Sequence, residues 1–126
     1  MQNAKNLQVS ERALRLAVET YLLTRSLPPD ERFGLTSQMR RSAVSIGSNI
    51  AEGCGRGSDR DFCVFLHIAL GSASELEFQL ELAEALDLTV SERATNLRSL
   101  VTEVKRMLSR LIVAVRARDT RRKKRG

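Results

Sequence analysis

Apolar residues recur at alternating steps of four and three over long stretches of this chain. The rhythm holds for six intervals in one segment, through Phe62, Leu66, Ala69, Ala73, Leu76, Leu80 and Ala83. Such steps keep one face of an α-helix apolar, and two such faces pack with a left-handed crossing of about +20°. This periodicity predicts long helices packed side by side. Only two prolines, seven glycines and 4% aromatic residues also argue against a β-sandwich or barrel.

Breaks in the rhythm divide the chain into four predicted helices, at about residues 9–27, 36–52, 59–86 and 90–118. The prolines Pro28 and Pro29 end the first, because proline cannot continue the backbone hydrogen-bond ladder. Gly53 is expected to end the second, Ser58 to cap the third, and Thr89 to open a capping box for the fourth.

Each predicted helix has an inward stripe. In the first it is expected to be Leu14, Val18 and Tyr21, widened by Ala17 and Leu22. The second and fourth have the stripes Met39, Ala43, Ile46, Ile50 and Leu97, Val101, Val104, Leu108, Leu111, Val115. Four amphipathic helices with short connections predict an all-α, up-down-up-down antiparallel four-helix bundle over residues 1–115.

The excess of positive over negative charge is confined to the C-terminal tail, which we define as residues 116–126. Lysine and arginine number 21 against 15 acids, a net charge of +6. Residues 1–115 hold 14 basic and 14 acidic side chains, and the tail holds seven basic residues against Asp119. We expect a disordered arm that binds phosphates. The alternative is that Arg116 and Arg118 only stabilise the helix end and the rest aids solubility.

The predicted third helix has more apolar surface than one stripe needs. Phe65, Ile68, Phe78 and Leu82 lie off its main stripe. A helix that is apolar on most sides is buried on most sides, so self-association is the simplest way to cover the second face. The alternative is that these side chains are singly exposed, as apolar residues often are.

Residues suited to catalysis or metal binding are few. The chain has one histidine, His67, and the residue three before it is Val64, so the Glu-x-x-His motif of di-metal bundles is absent. We expect His67 to pack in the core or at an interface, and Cys54 and Cys63 to be reduced. We also expect no cofactor, no metal and no enzymatic activity. No apolar stretch predicts a membrane span and the N-terminus does not resemble a signal peptide, which favours the cytoplasm.

Two further segments each have a structural interpretation and a binding interpretation. The glycine-rich loop 53–58 lacks the preceding strand and closing Gly-Lys-Ser/Thr of a phosphate loop, although Arg56 and Arg60 could contact RNA phosphates. A polar stripe follows the predicted second helix at Gln38, Arg41, Ser45, Asn49 and Glu52. A polar network or subunit contact is the favoured interpretation, and a binding site is the alternative.

The segment RFGLTSQMRRSAVSI at residues 32–46, followed by SNIAEG at residues 48–53, carries a family resemblance. Together with Phe62, Gly71-Ser72 and Glu75-Leu76, it resembles the bacterial four-helix-bundle proteins first noticed in intervening sequences of 23S rRNA genes, over about residues 7–112. That family is similar in fold to the accessory variability determinant of diversity-generating retroelements.

The resemblance implies a homopentameric bundle without established catalysis, with Gln38, Arg41, Ser45, Asn49, Glu52 and Gly53 as motif positions. Gly47 departs from the family, where proline is common. The tail gains nothing from the resemblance.

The sequence therefore favours a non-catalytic homo-oligomer, by resemblance a pentamer, that binds RNA or another nucleic acid through basic surface and tail. The alternative is a protein-interaction scaffold without a nucleic-acid role. No membrane partner is expected. The candidate nucleic-acid-binding residues are Arg56, Arg60, Arg116, Arg118, Arg121, Arg122, Lys123, Lys124 and Arg125.

Overall fold

Four long helices account for most of the chain. The computed structural model describes residues 4–89 and 91–125. Its helices are α1 (Ala4–Thr24), α2 (Leu35–Cys54), α3 (Asp59–Ala85) and α4 (Glu92–Arg125), with a short 3-10 turn at Pro29–Glu31.

The helices pack in a ring that follows their order in the chain. α2 packs against α1 and α3, and α4 packs against α3 and α1, whereas the diagonal pairs make no comparable contact in the described chain. Short connections place consecutive helices antiparallel, which confirms the predicted four-helix bundle.

The apolar stripes predicted for α2, α3 and α4 are buried throughout, but the stripe predicted for α1 is wrong. Leu14 is 67% exposed, and Val18 and Tyr21 also lie at the surface. The buried face of α1 consists instead of Val9, Ala13, Leu16, Thr20 and Leu23. Thr20 is a polar residue on this face, so a search for apolar residues passes over it. Its hydroxyl can be buried because it donates a hydrogen bond to the carbonyl oxygen of Leu16 at 2.8 Å.

Side-chain caps mark the starts of α3 and α4. The Ser58 hydroxyl accepts from the backbone N–H of Asp61 at 3.2 Å, as predicted. At α4 the cap is Ser91, whose hydroxyl accepts from the N–H of Ala94 at 3.2 Å, in place of the expected Thr89. The proposed capping box also includes Val90, which lies outside the described residues.

The prediction of a disordered tail is wrong for the described residues. Residues 116–125 continue α4 as a helix that ends at Arg125. Cations near a helix C-terminus interact favourably with the helix dipole. The single acid of the tail, Asp119, also forms ion pairs with Arg122 and Lys123 one turn later, at 3.4 and 3.3 Å. The division of the chain after Val115 stays a prediction, although Val115 is the last buried residue described.

Candidate nucleic-acid interface

The α2–α3 loop and the end of α4 meet at one end of the bundle. They share an open pocket of about 300 Å³ whose lining includes Arg56, Gly57 and Ser58 from the loop and Arg118 and Arg122 from α4. The structure thus brings together two groups of candidate residues that the sequence places about 60 positions apart. We call the surface formed by residues 52–61 and 116–125 the cationic end.

The contact between Arg118 and Asp59 connects α4 to the first residue of α3. The guanidinium donates to both carboxylate oxygens of Asp59, at 3.0 and 2.8 Å. This bidentate hydrogen bonding lowers the pKa of Asp59 and raises that of Arg118. Arg118 is therefore a positioning contact for the cationic end, with its charge largely matched.

A second contact joins α4 to α3, two residues before Arg118 in the chain. The side chains of Arg116 and His67 approach to 2.8 Å between Nη2 and Nε2. His67 is exposed, so the expectation of a core histidine is wrong, and its position at a subunit interface stays a prediction. His67 lies on the outer side of α3, beside the tail. The periodicity of α3 indicates this outer position, and the contact with the tail follows because the tail is helical.

Arg56 is oriented by its own neighbours. It forms an ion pair with Glu52 at 3.3 Å, and its guanidinium lies over the ring of Phe65 at 4.6 Å from the centroid. These contacts hold the arginine against the bundle while leaving it exposed. Sequence reasoning missed Phe65 as a partner of this candidate residue.

Four candidate cations are unmatched in the part of the chain that the structure describes. They are exposed and have neither an ion pair nor a side-chain hydrogen bond: Arg60, Arg121, Lys124 and Arg125. Their charge is available to an external anion.

The polar stripe of α2 forms a small network with α3. The hydroxyls of Ser45 and Ser72 lie 2.8 Å apart, and Asn49 Nδ2 donates to the carbonyl and hydroxyl oxygens of Ser45 at 2.8 and 3.0 Å. Gln38 and Arg41 form no hydrogen bond with this network and are exposed. The stripe thus divides into a structural part and an exposed part.

Gly53 has a packing role that the sequence argument misassigned. It lies inside α2, which ends at Cys54, so it is not the residue that stops the helix. A β-carbon at this position would lie 2.9 Å from Phe62 Cδ1 and 3.0 Å from Phe65 Cβ. The last turn of α2 can approach α3 this closely because residue 53 has no side chain.

Other site types find little support among the residues described. No group of histidine, cysteine and acidic side chains in residues 4–89 and 91–125 could hold a metal ion. No helix in that part of the chain is long and apolar enough to cross a bilayer. Cys54 and Cys63 form no disulfide in the described residues, and burial raises the pKa of Cys63.

Comparisons with known proteins agree with the fold and with the family resemblance of the sequence. The family described as 23S rRNA-intervening sequence protein matches residues 5–110. A crystal structure of a protein of unknown function from the S23 ribosomal protein family of Bacteroides thetaiotaomicron is 32% identical, with a TM-score of 0.79 over 86% of this chain and 97% of that one. No curated protein matches the sequence. The chain therefore belongs to the 23S rRNA-intervening sequence protein family.

Proposed function

We propose that this protein is a non-catalytic, cytoplasmic homo-oligomer, a pentamer as its resemblance implies, that binds RNA through the cationic end. The observation that carries this proposal is the meeting of the α2–α3 loop with the end of α4 in one pocket. The cationic end holds nine basic residues against four acids, while the remainder of the chain holds twelve basic residues against eleven acids.

Binding at the cationic end would be electrostatic. Each phosphate that a lysine or arginine neutralises releases a condensed counterion, and this release drives association. The tail contains no aromatic residue for base stacking. The surface is therefore suited to the phosphate backbone of RNA in preference to a particular base sequence.

The experiment is fluorescence anisotropy of a labelled RNA across a salt series. Removal of the tail would also remove the contact between Arg118 and Asp59, so a charge-neutralising variant is preferable. Arg121→Gln, Lys124→Gln and Arg125→Gln together remove three unmatched charges. We expect the slope of log affinity against log salt to become shallower by about 2, at about 0.7 for each phosphate contact on a single strand.

The matched control removes three exposed arginines elsewhere, at Arg15, Arg25 and Arg106. It lowers the net charge by the same amount and should leave the salt slope nearly unchanged. Equal slopes for the two triple variants, or no RNA binding by the unaltered protein, would refute the proposal.

A protein-interaction scaffold is the second candidate function. It is favoured by the large apolar side chains that remain exposed on α1 and α3, such as Leu14 and Phe78. A scaffold predicts that the neutralised tail variant keeps its partner, which a pull-down with that variant and the unaltered protein would test.

A further inference from the structure

Two separate apolar faces remain exposed on the bundle. The first face consists of Leu14, Val18 and Tyr21 of α1, Phe33 of the α1–α2 connection and Val44 of α2. The second face consists of Val64, Ile68, Phe78, Leu82 and Leu86, which lie on or directly after α3. Every one of these side chains is at least 37% exposed, and Phe33 reaches 88%. Patches of this kind mark interaction surfaces.

The first face is positively charged. Tyr21, Phe33 and Val44 line a groove of about 650 Å³ together with Arg32, Arg40 and Arg41. Arg40 lies over the ring of Tyr21 at 4.5 Å, and Arg32 lies over that of Phe33 at 5.3 Å. No carboxylate of the described chain lines this groove.

The second face carries a single negative charge, that of Glu75. Its positions follow steps of four and three along α3 as the series 64, 68, 71, 75, 78, 82 and 86, and Glu75 is the single charged residue of that series. Glu75 is exposed and has no ion pair in the described chain. By contrast, Glu77 and Glu84 on the other side of α3 pair with Lys105 and Arg98 of α4.

The two faces lie on neighbouring sides of the bundle, with α2 at the corner between them. The first spans α1 and α2. The second is on the α2 side of α3, because Ile68 and Glu75 lie one turn before and after Ser72, which bonds to Ser45 of α2.

We propose that the first face of one copy docks against the second face of the next copy, in a head-to-tail contact. This inference rests on the self-association in the proposed function and names the surfaces that form it. The faces differ in residues and are opposite in charge, so each complements the other better than itself. A head-to-tail contact repeats the same rotation at each added copy, and it forms a closed ring when that rotation closes.

The test uses one disabled face in each of two variants. Variant one carries Phe33→Glu and Val44→Glu, and variant two carries Ile68→Glu and Phe78→Glu. All four side chains are exposed, so the fold should persist, and circular dichroism checks this. The matched control is Val113→Glu, an exposed apolar residue of α4 outside both faces.

Light scattering after size-exclusion chromatography reports the assembled mass. We expect the unaltered protein and the control to assemble, and each variant alone to be a monomer. An equal mixture of the two variants should form a heterodimer and stop there, because one intact pair of faces remains. A mixture that stays monomeric, or a variant that assembles alone, would overturn the proposal.

Charge provides an independent measurement. Glu75→Lys should raise the dissociation constant of assembly by at least about tenfold, as a like charge opposite the arginines of the first face. The matched control is Glu81→Lys, because Glu81 is exposed and unpaired on the same helix but lies off the second face. Equal effects of the two changes would contradict the assignment of the faces.

These measurements separate the present inference from the proposed function. A wild-type monomer would refute self-association and the inference together. An assembly that survives both variants would refute the inference alone. RNA binding by the folded, monomeric variants tests the cationic end independently, since none of their substitutions lies in residues 52–61 or 116–125.

Discussion

Gly53 offers a sharp test of how closely α2 and α3 pack. Gly53→Ala would place a β-carbon 2.9 Å from Phe62 Cδ1, closer than such atoms approach in real proteins. Phe62 is buried, so its ring has little room to move away. Gly47→Ala, in the same helix, would meet only Ala13 Cβ at 3.8 Å, an ordinary contact.

The two substitutions should act in opposite directions. Gly47→Ala gains helix propensity and should stabilise by about 1 kcal/mol. At Gly53 the gain is smaller because the last helical turn frays, and overpacking costs about 1–3 kcal/mol. With an unfolding entropy of about 2.1 cal/mol/K per residue, we expect Tm to rise by about 4 °C for Gly47→Ala and to fall by about 4–8 °C for Gly53→Ala.

Thermal unfolding followed by circular dichroism measures both shifts. The variants are compared at one protomer concentration, because assembly makes Tm concentration-dependent. A Gly53→Ala protein as stable as the Gly47→Ala protein would show that Phe62 and Phe65 do not constrain residue 53, and the packing argument would fail.

Three smaller perturbations test other parts of the structure by urea unfolding. Leu16→Ala should lower the free energy of unfolding by about 2–5 kcal/mol because Leu16 is fully buried. Leu14→Ala should change it by less than about 0.5 kcal/mol because Leu14 is exposed. Comparable losses would show that Leu14 is buried, as the stripe predicted from the sequence requires. Ser58→Ala should cost about 0.5–2 kcal/mol through loss of the α3 cap, and no loss would contradict that cap. Because Arg118 lowers the pKa of Asp59, their pair stabilises fully above the unfolded-state pKa of about 3.9 and is lost as pH falls through the folded-state pKa. The stability difference between wild type and Asp59→Asn, at most about 1 kcal/mol for this exposed pair, should therefore vanish at low pH.

Sequence periodicity predicted the fold well where the inward stripe is entirely apolar. The stripes of α2, α3 and α4 contain only apolar residues and are all buried. In α1 the buried face includes Thr20 and Thr24, whose hydroxyls bond to carbonyl oxygens one turn earlier. A rule that counts apolar residues passes over these threonines and selects Leu14 and Val18, which are exposed.

The residues of the candidate site could be predicted from the sequence, but the contacts between them could not. Charge counting identified the basic tail and the loop arginines from the sequence alone. It could not show that Arg118 reaches Asp59, because that contact depends on how α3 and α4 pack against each other. Charge counting also could not show that the packing of α4 pairs Glu77 and Glu84 with basic residues and leaves Glu75 without an ion pair in the described chain.

The helical state of residues 116–125 sets a limit on how the tail can contact a nucleic acid. Successive side chains of a helix are about 100° apart around its axis. The five consecutive cations of the tail therefore project on all sides of the helix: Arg121, Arg122, Lys123, Lys124 and Arg125. One nucleic-acid strand can contact only about two or three of them at once. Two strands approaching from opposite sides could each find cations on the same rod. A helical tail of this kind can bridge two strands, which a flexible arm wrapped along one strand would not do.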